Sequence, residues 1–203
     1  MKHRAIGTVN GLYPSLTTIV GCVVSGKANW MTVAHLGILN HATGDKAQYL
    51  GVSVNPAHYS SIGIREHGEF SINIPSRAML EATDHVGIVS GKSTDKSALF
   101  PTFKGQLEFA PMILDCPLTM ECRLHQTVVL GKDQFFIGEL VQTYVDEACL
   151  TEGHVDLQKI DPILFDFMRT LYWSLGEVIG KPWSEGKVRK HNNKSQNKAL
   201  SPA

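Results

Sequence analysis

The chain has 203 residues, 43% of them hydrophobic and 19% charged, which suits one domain with a buried core. Its 19 basic and 19 acidic residues cancel, which argues against a surface built to grip nucleic acid or an anionic membrane. No apolar run approaches the ~20 residues of a membrane span, and "MKHRAIGTVNGLYP" at the N-terminus lacks the apolar stretch of a secretory signal, so a cytoplasmic protein is expected.

The elements follow in chain order. "TTIVGCVVSG" (17–26) reads as a buried strand running into a Ser-Gly turn. "NWMTVAHLGIL" (29–39) follows the turn and completes a hairpin. "QYLGVSV" (48–54) is a third strand, closed by Asn55-Pro56. "HYSSIGIREHG" (58–68) predicts a short helix stopped by Gly68. In "EFSINI" (69–74), Phe70, Ile72 and Ile74 point inward and Glu69, Ser71 and Asn73 outward, as in a half-buried strand. Pro75-Ser76 then opens a helix, with Ser76 as N-cap and Met79, Leu80, Thr83 and Val86 or Gly87 on one face.

"VGIVSGKSTDK" (86–96) ends like a nucleotide-triphosphate loop, but only three residues separate Gly87 from Gly91. Such a loop needs four, and it must leave a strand and enter a helix. Here a helix precedes the glycine and Pro101 follows soon after, so the motif fails on spacing and on context.

Further on, "PLTMECRLHQTVVL" (117–130) alternates, with Leu118, Met120, Cys122 and Leu124 on one face and Thr119, Glu121, Arg123 and His125 on the other. Gly-Lys-Asp joins it to "QFFIGELVQTYV" (134–145) in a second hairpin. "HVDLQKI" reads as a short strand, and the stretch 161–180 as extended after Pro162 and then helical. One domain over 1–183 is expected, followed by a flexible basic tail over 184–203 that holds too little apolar surface to order itself.

Cys22, Cys116, Cys122 and Cys149 form no C-x-x-C pair and read as reduced structural thiols. The nine histidines show no metal-ligand spacing. No G-x-G-x-x-G or G-x-S-x-G is present, which disfavours a Rossmann nucleotide fold and a hydrolase nucleophile. Six or seven strands, mostly in antiparallel pairs, and three short helices give a mostly-β or α+β fold class and a small barrel.

In their order along the chain, "NWMT", "SVNPAHYS", "GEFSINIP", "SGKSTDK", "CPLTMECRL" and "FFIGELV" resemble the flavin reductase-like family, in its flavoredoxin-like branch. The resemblance covers roughly residues 10–180 and implies an FMN-binding split β-barrel. It places Asn29, Trp30, Met31 and Thr32 along the flavin, with Trp30 as an aromatic wall. It gives the phosphate and ribityl chain to the "SVNPAHYS" segment through Ser53 and Ser60, with His58 where the family has an arginine. Lys96 aligns with the family's lysine, and Lys92 is a second candidate cation for a phosphate. Replacing Lys96 with Ala is therefore expected to weaken FMN binding several-fold.

The resemblance also implies a homodimer, NAD(P)H as hydride donor to flavin N5, and no side chain acting as acid or base. The family often has a histidine on the loop before "FIGE"; this chain has Asp133 and Gln134 there. That departure keeps open an electron-transfer flavoprotein that has no efficient nicotinamide site and works with a redox partner protein. A split-barrel module for haem or a pyridoxal-type cofactor, or a domain without cofactor, are the remaining alternatives.

Overall fold

The structure is a computed structural model and describes residues 1–40, 42–44, 46–185 and 187. Strand β1 (Thr18–Val24) turns into β2 (Lys27–Val33) through Ser25 and Gly26, both at positive φ. That backbone matches the twist of a two-residue hairpin. The segment expected to stay extended to residue 39 breaks after Val33, and β3 (Leu36–Ile38) is a separate strand. Next come β4 (Tyr49–Val54), α1 (Ser60–His67), β5 (Glu69–Ile74), α2 (Leu80–Ile88), β6 (Leu118–Leu130) and β7 (Asp133–Val145). Gly68 ends α1 in the left-handed conformation, as its position after the helical run predicts.

These seven strands form one antiparallel sheet in the order β2-β1-β5-β6-β7-β4-β3. The sheet curls until β2 and β4, near its two ends, touch. Two bulges in the long β6–β7 hairpin help bend it, leaving His125 and Val141 without a direct partner. The His125 ring packs on Tyr49, with centroids 4.8 Å apart. Inside the curl lie Val20, Cys22, Val52, Ile64, Phe70, Ile72, Cys122 and Phe136. A second cluster of Ile19, Trp30, Val86, Phe100, Ile113 and Cys116 fills the outside of β1 and β2.

The alternation in β5 and β6 identifies the inner face correctly but not the fate of the outer one. Ser71, Asn73, Thr119 and Glu121 are buried under residues 103–113, which run across that face. The Glu121 carboxylate accepts the Gln106 and Leu107 N–H groups at 2.9 and 2.8 Å and the Tyr144 hydroxyl at 2.9 Å. Glu69 accepts the Phe109 N–H, and Asn73 accepts the Ile113 N–H. A strand polar on one side can thus be buried on both when a loop brings unpaired N–H groups to it.

The helix before the Walker-like loop forms, with Thr83 and Val86 buried, but Leu80 is exposed and the Ser76 side chain makes no capping hydrogen bond. "HVDLQKI" is extended only at His154–Val155; the Asp156 carboxylate then caps α3 (Leu157–Ile160) by accepting the Gln158 N–H. The helix expected within 161–180 is absent. The extended start expected after Pro162 forms as β8 (Ile163–Asp166), but β9 (Leu171–Ser174) stands in place of the helix and makes a hairpin with β8, whose aromatic and branched residues favour strand; Ser15–Leu16 pairs with β8. The expected tail lies, apart from residues 184, 185 and 187, outside the described residues.

Candidate functional site

Strand β2 is an edge of the sheet, hydrogen-bonded to β1 on one side only. An edge strand leaves backbone groups that something else must satisfy. Here helix α2 and residues 89–97 cover that edge, and Lys96 makes the join. Its ammonium, 4% exposed as a residue, donates to the Trp30 carbonyl at 2.8 Å and to the Val86 carbonyl at 2.9 Å. Burial lowers its pKa from the ordinary lysine value. The Thr32 hydroxyl supports the same packing by donating to the Thr83 carbonyl.

The start of α1 closes the other side. The Asn29 side-chain amide donates to the Ser60 hydroxyl at 2.7 Å, and both residues are buried. This one bond ties "NWMT" to "AHYS". Gly91 lies over it: a Cβ there would strike the Asn29 amide oxygen and the Tyr59 ring, so the loop needs glycine to come this close.

Two adjoining cavities result. One, about 300 Å³, lies between the β1–β2 turn and residues 91–96, with Lys27, Lys92, Ser93, Thr94 and Asp95 in its wall. The other, about 160 Å³, lies between His58–Ser60 and residues 86–91. They share Asn29, Tyr59, Gly91 and Lys96 and so form one cleft. All the residues singled out in the sequence border it except Thr32, which packs against α2, and Ser53. Ser53 lines a separate cavity of about 420 Å³ with Tyr13, His35 and Phe135.

Placement also refines individual roles. Trp30 is fully buried and meets Phe100 edge to face, at 5.6 Å and 88°, so its indole is a core side chain beneath the cleft rather than an open aromatic wall. Met31 points into the barrel core. His58 and Lys92 are exposed. The N–H groups of Lys92, Ser93 and Thr94 fold back onto Ser90 and are not open to a ligand. Lys27, Tyr59 and Asp95 also line the cleft without having been singled out. Their signal was proximity alone: each lies one or two residues from a residue that was.

The Lys27 ammonium contacts the Asp95 carboxylate at 2.6 Å. The Lys27 hydrogen bond first, and Ser97 second, hold the Asp95 carboxyl well below the usual carboxylate range. The four cysteines are buried and free, and burial pushes the Cys22 and Cys122 thiols up to about 12. They remain protonated and serve packing.

The flavin reductase like domain model matches residues 10–171. The chain belongs to that family. Its fold matches the crystal structure of a flavoredoxin from Methanosarcina acetivorans with a TM-score of 0.86 and 38% identity, over 93% of this chain and 99% of that one. A flavoredoxin of Desulfovibrio vulgaris (Miyazaki F) matches with a TM-score of 0.82 and 32% identity, over 91% and 100% of the two chains. An uncharacterised protein of Archaeoglobus fulgidus is 28% identical over 161 residues, 77% of this chain and 86% of its own. These matches place the chain in the flavoredoxin branch and its curled sheet among split-barrel folds. Among the described residues, no helix is long and apolar enough to cross a membrane.

Proposed function

We propose that this protein binds FMN in the cleft between β2, the start of α1 and residues 86–96, and works as an oxidoreductase that takes hydride from NAD(P)H. The observation that carries the reading is the Asn29–Ser60 hydrogen bond under Gly91, because it gathers the three family-like segments around one cavity. The donor set fits the cofactor. A phosphate needs cations and hydroxyls, and the wall has Lys27, Lys92, Ser93 and Thr94. His58 opens onto the adjoining cavity and adds a donor when protonated.

FMN, when bound, would supply the redox chemistry. The chain's own residues bind and orient. Asn29 and Ser60 hold the two walls in register, and Lys92, in the cavity wall, would offer the phosphate a point charge. Lys96 supports the floor by holding Trp30 and Val86 together, with two of its three donors already used. The protein works as a homodimer in the cytoplasm.

A second reading, an electron-transfer flavoprotein served by a redox partner protein, has a specific observation in its favour. Gln134, which with Asp133 occupies the place where the family often has histidine, is tied to α1 through a 2.6 Å hydrogen bond from Arg65. The two flavoredoxins among the matched structures agree with it. The visible spectrum of the purified protein tests flavin binding first; flavin bands near ~450 nm are expected, and a colourless protein that takes up no added FMN rejects both readings. Anaerobic stopped-flow mixing with NADH and NADPH then separates them. Fast bleaching supports the reductase, and bleaching by neither nucleotide leaves the electron-transfer protein.

A further inference from the structure

The Lys27–Asp95 pair sits in the wall of the larger cavity, yet an exposed ion pair of this kind contributes little to stability. Its place matters more than its strength. Of the four charged side chains on that wall, Lys96 is engaged with two backbone carbonyls, Lys92 is exposed, and Lys27 is held by Asp95. The N–H groups of residues 92–94 offer no substitute, since they bond to Ser90.

The two partners are not equally mobile. Asp95 is fixed within its own loop, because its second carboxylate oxygen accepts the Ser97 N–H at 2.9 Å. The Lys27 ammonium ends a flexible four-carbon stem at the exposed start of β2, next to the turn, and has three donors to redirect. An anion entering the cavity therefore meets a carboxylate that cannot leave and an ammonium that can.

We infer that Lys27 and Asp95 form a charge latch that sets how strongly this cleft prefers a phosphorylated flavin to an unphosphorylated one. In the free protein Asp95 holds Lys27; a phosphate dianion draws Lys27 away and competes with Asp95 for it. The latch lowers the gain from the phosphate, so FMN is held loosely enough to exchange. The inference rests on the FMN reading above.

The test is fluorescence titration of the full chain with FMN and with riboflavin, for the wild type, Asp95→Asn and Lys27→Met. Asp95→Asn should tighten FMN binding about 3–10-fold, since it frees Lys27 and removes a repelling charge, and should leave riboflavin unchanged. Lys27→Met should weaken FMN by a similar factor, again with riboflavin unchanged. Both side chains are exposed, so both variants should fold. A wild type that binds FMN, with an FMN-to-riboflavin preference that moves less than twofold in both variants, overturns the latch alone. A wild type that binds neither flavin ends the FMN reading and the latch with it.

Discussion

Two patches of polar side chains on the same sheet have opposite fates. On the outer face of β5 and β6, Glu69, Ser71, Asn73 and Glu121 each bond to the backbone of residues 106–113. Around the edge strand β2, Asn29 and Ser60 satisfy one another, while His58 and Lys92 remain exposed beside a cavity. The first patch is structural because a loop brings it unpaired N–H groups. The second is available because, in the loop above it, the N–H groups of residues 92–94 are satisfied by Ser90. What separates a fastener from a binding group here is whether the overlying backbone needs a partner.

Glu121 tests the first half of that contrast most severely. Replacing it with Ala leaves two backbone N–H groups and the Tyr144 hydroxyl without their acceptor and should cost about 2–4 kcal/mol in urea unfolding, with Glu121→Gln between that and wild type. Burial first, then the Glu121 hydrogen bond, raises the Tyr144 pKa above its ordinary value, which extends the pH range over which the phenol donates. A loss under ~1 kcal/mol would mean that the loop is held by its apolar contacts instead.

Lys96 lies on the boundary between the two regimes. Lys96→Met should cost about 1–3 kcal/mol, because the Trp30 and Val86 carbonyls lose their shared donor. Unchanged stability together with a several-fold loss of FMN affinity would move Lys96 from the fasteners to the ligand groups.

Lys92→Ala should show the reverse pattern. FMN binding should weaken about 3–10-fold, an effect that fades with added salt, while the unfolding midpoint stays within about 0.5 kcal/mol of wild type. A salt-independent loss would point to a reshaped cleft rather than a missing charge.

The smallest effect concerns Asp95. Its folded-state pKa lies below its ordinary value of 3.8, so the folded state binds fewer protons than the unfolded chain as pH falls through that range. Its contribution is full above the unfolded value and lost as pH drops through the folded one. The unfolding midpoints of wild type and Asp95→Asn should differ slightly at pH 7 and converge in acid; a gap that widens in acid refutes the pairing as the cause.

Much of this architecture was legible in the chain. Alternation marked the inner faces of β5 and β6, Gly68 marked the end of α1, and the Walker-like stretch failed on spacing and on context. The extended stretch expected just after Pro162 is β8, but the helix expected beyond it does not form, because Leu171–Ser174 pairs with β8, which is itself anchored by Ser15–Leu16. Trp30 misled differently: its place in "NWMT" indicates nearness to the cleft, but the side-chain direction depends on Phe100 from a distant loop.

By itself, the sequence determined most strands of the seven-stranded sheet and which faces of them are apolar, through local period, turn chemistry and residue type. The family resemblance, not the local pattern, singled out the segments beside the cleft. Only the tertiary structure decided which polar groups are already engaged. That Glu121 is a buried anchor, that Lys96 staples two carbonyls and that Lys27 pairs with Asp95 are facts about partners 10 to 68 residues away in the chain. No local period records such partners, because a hydrogen bond needs both ends in place and the chain brings them together only when it folds.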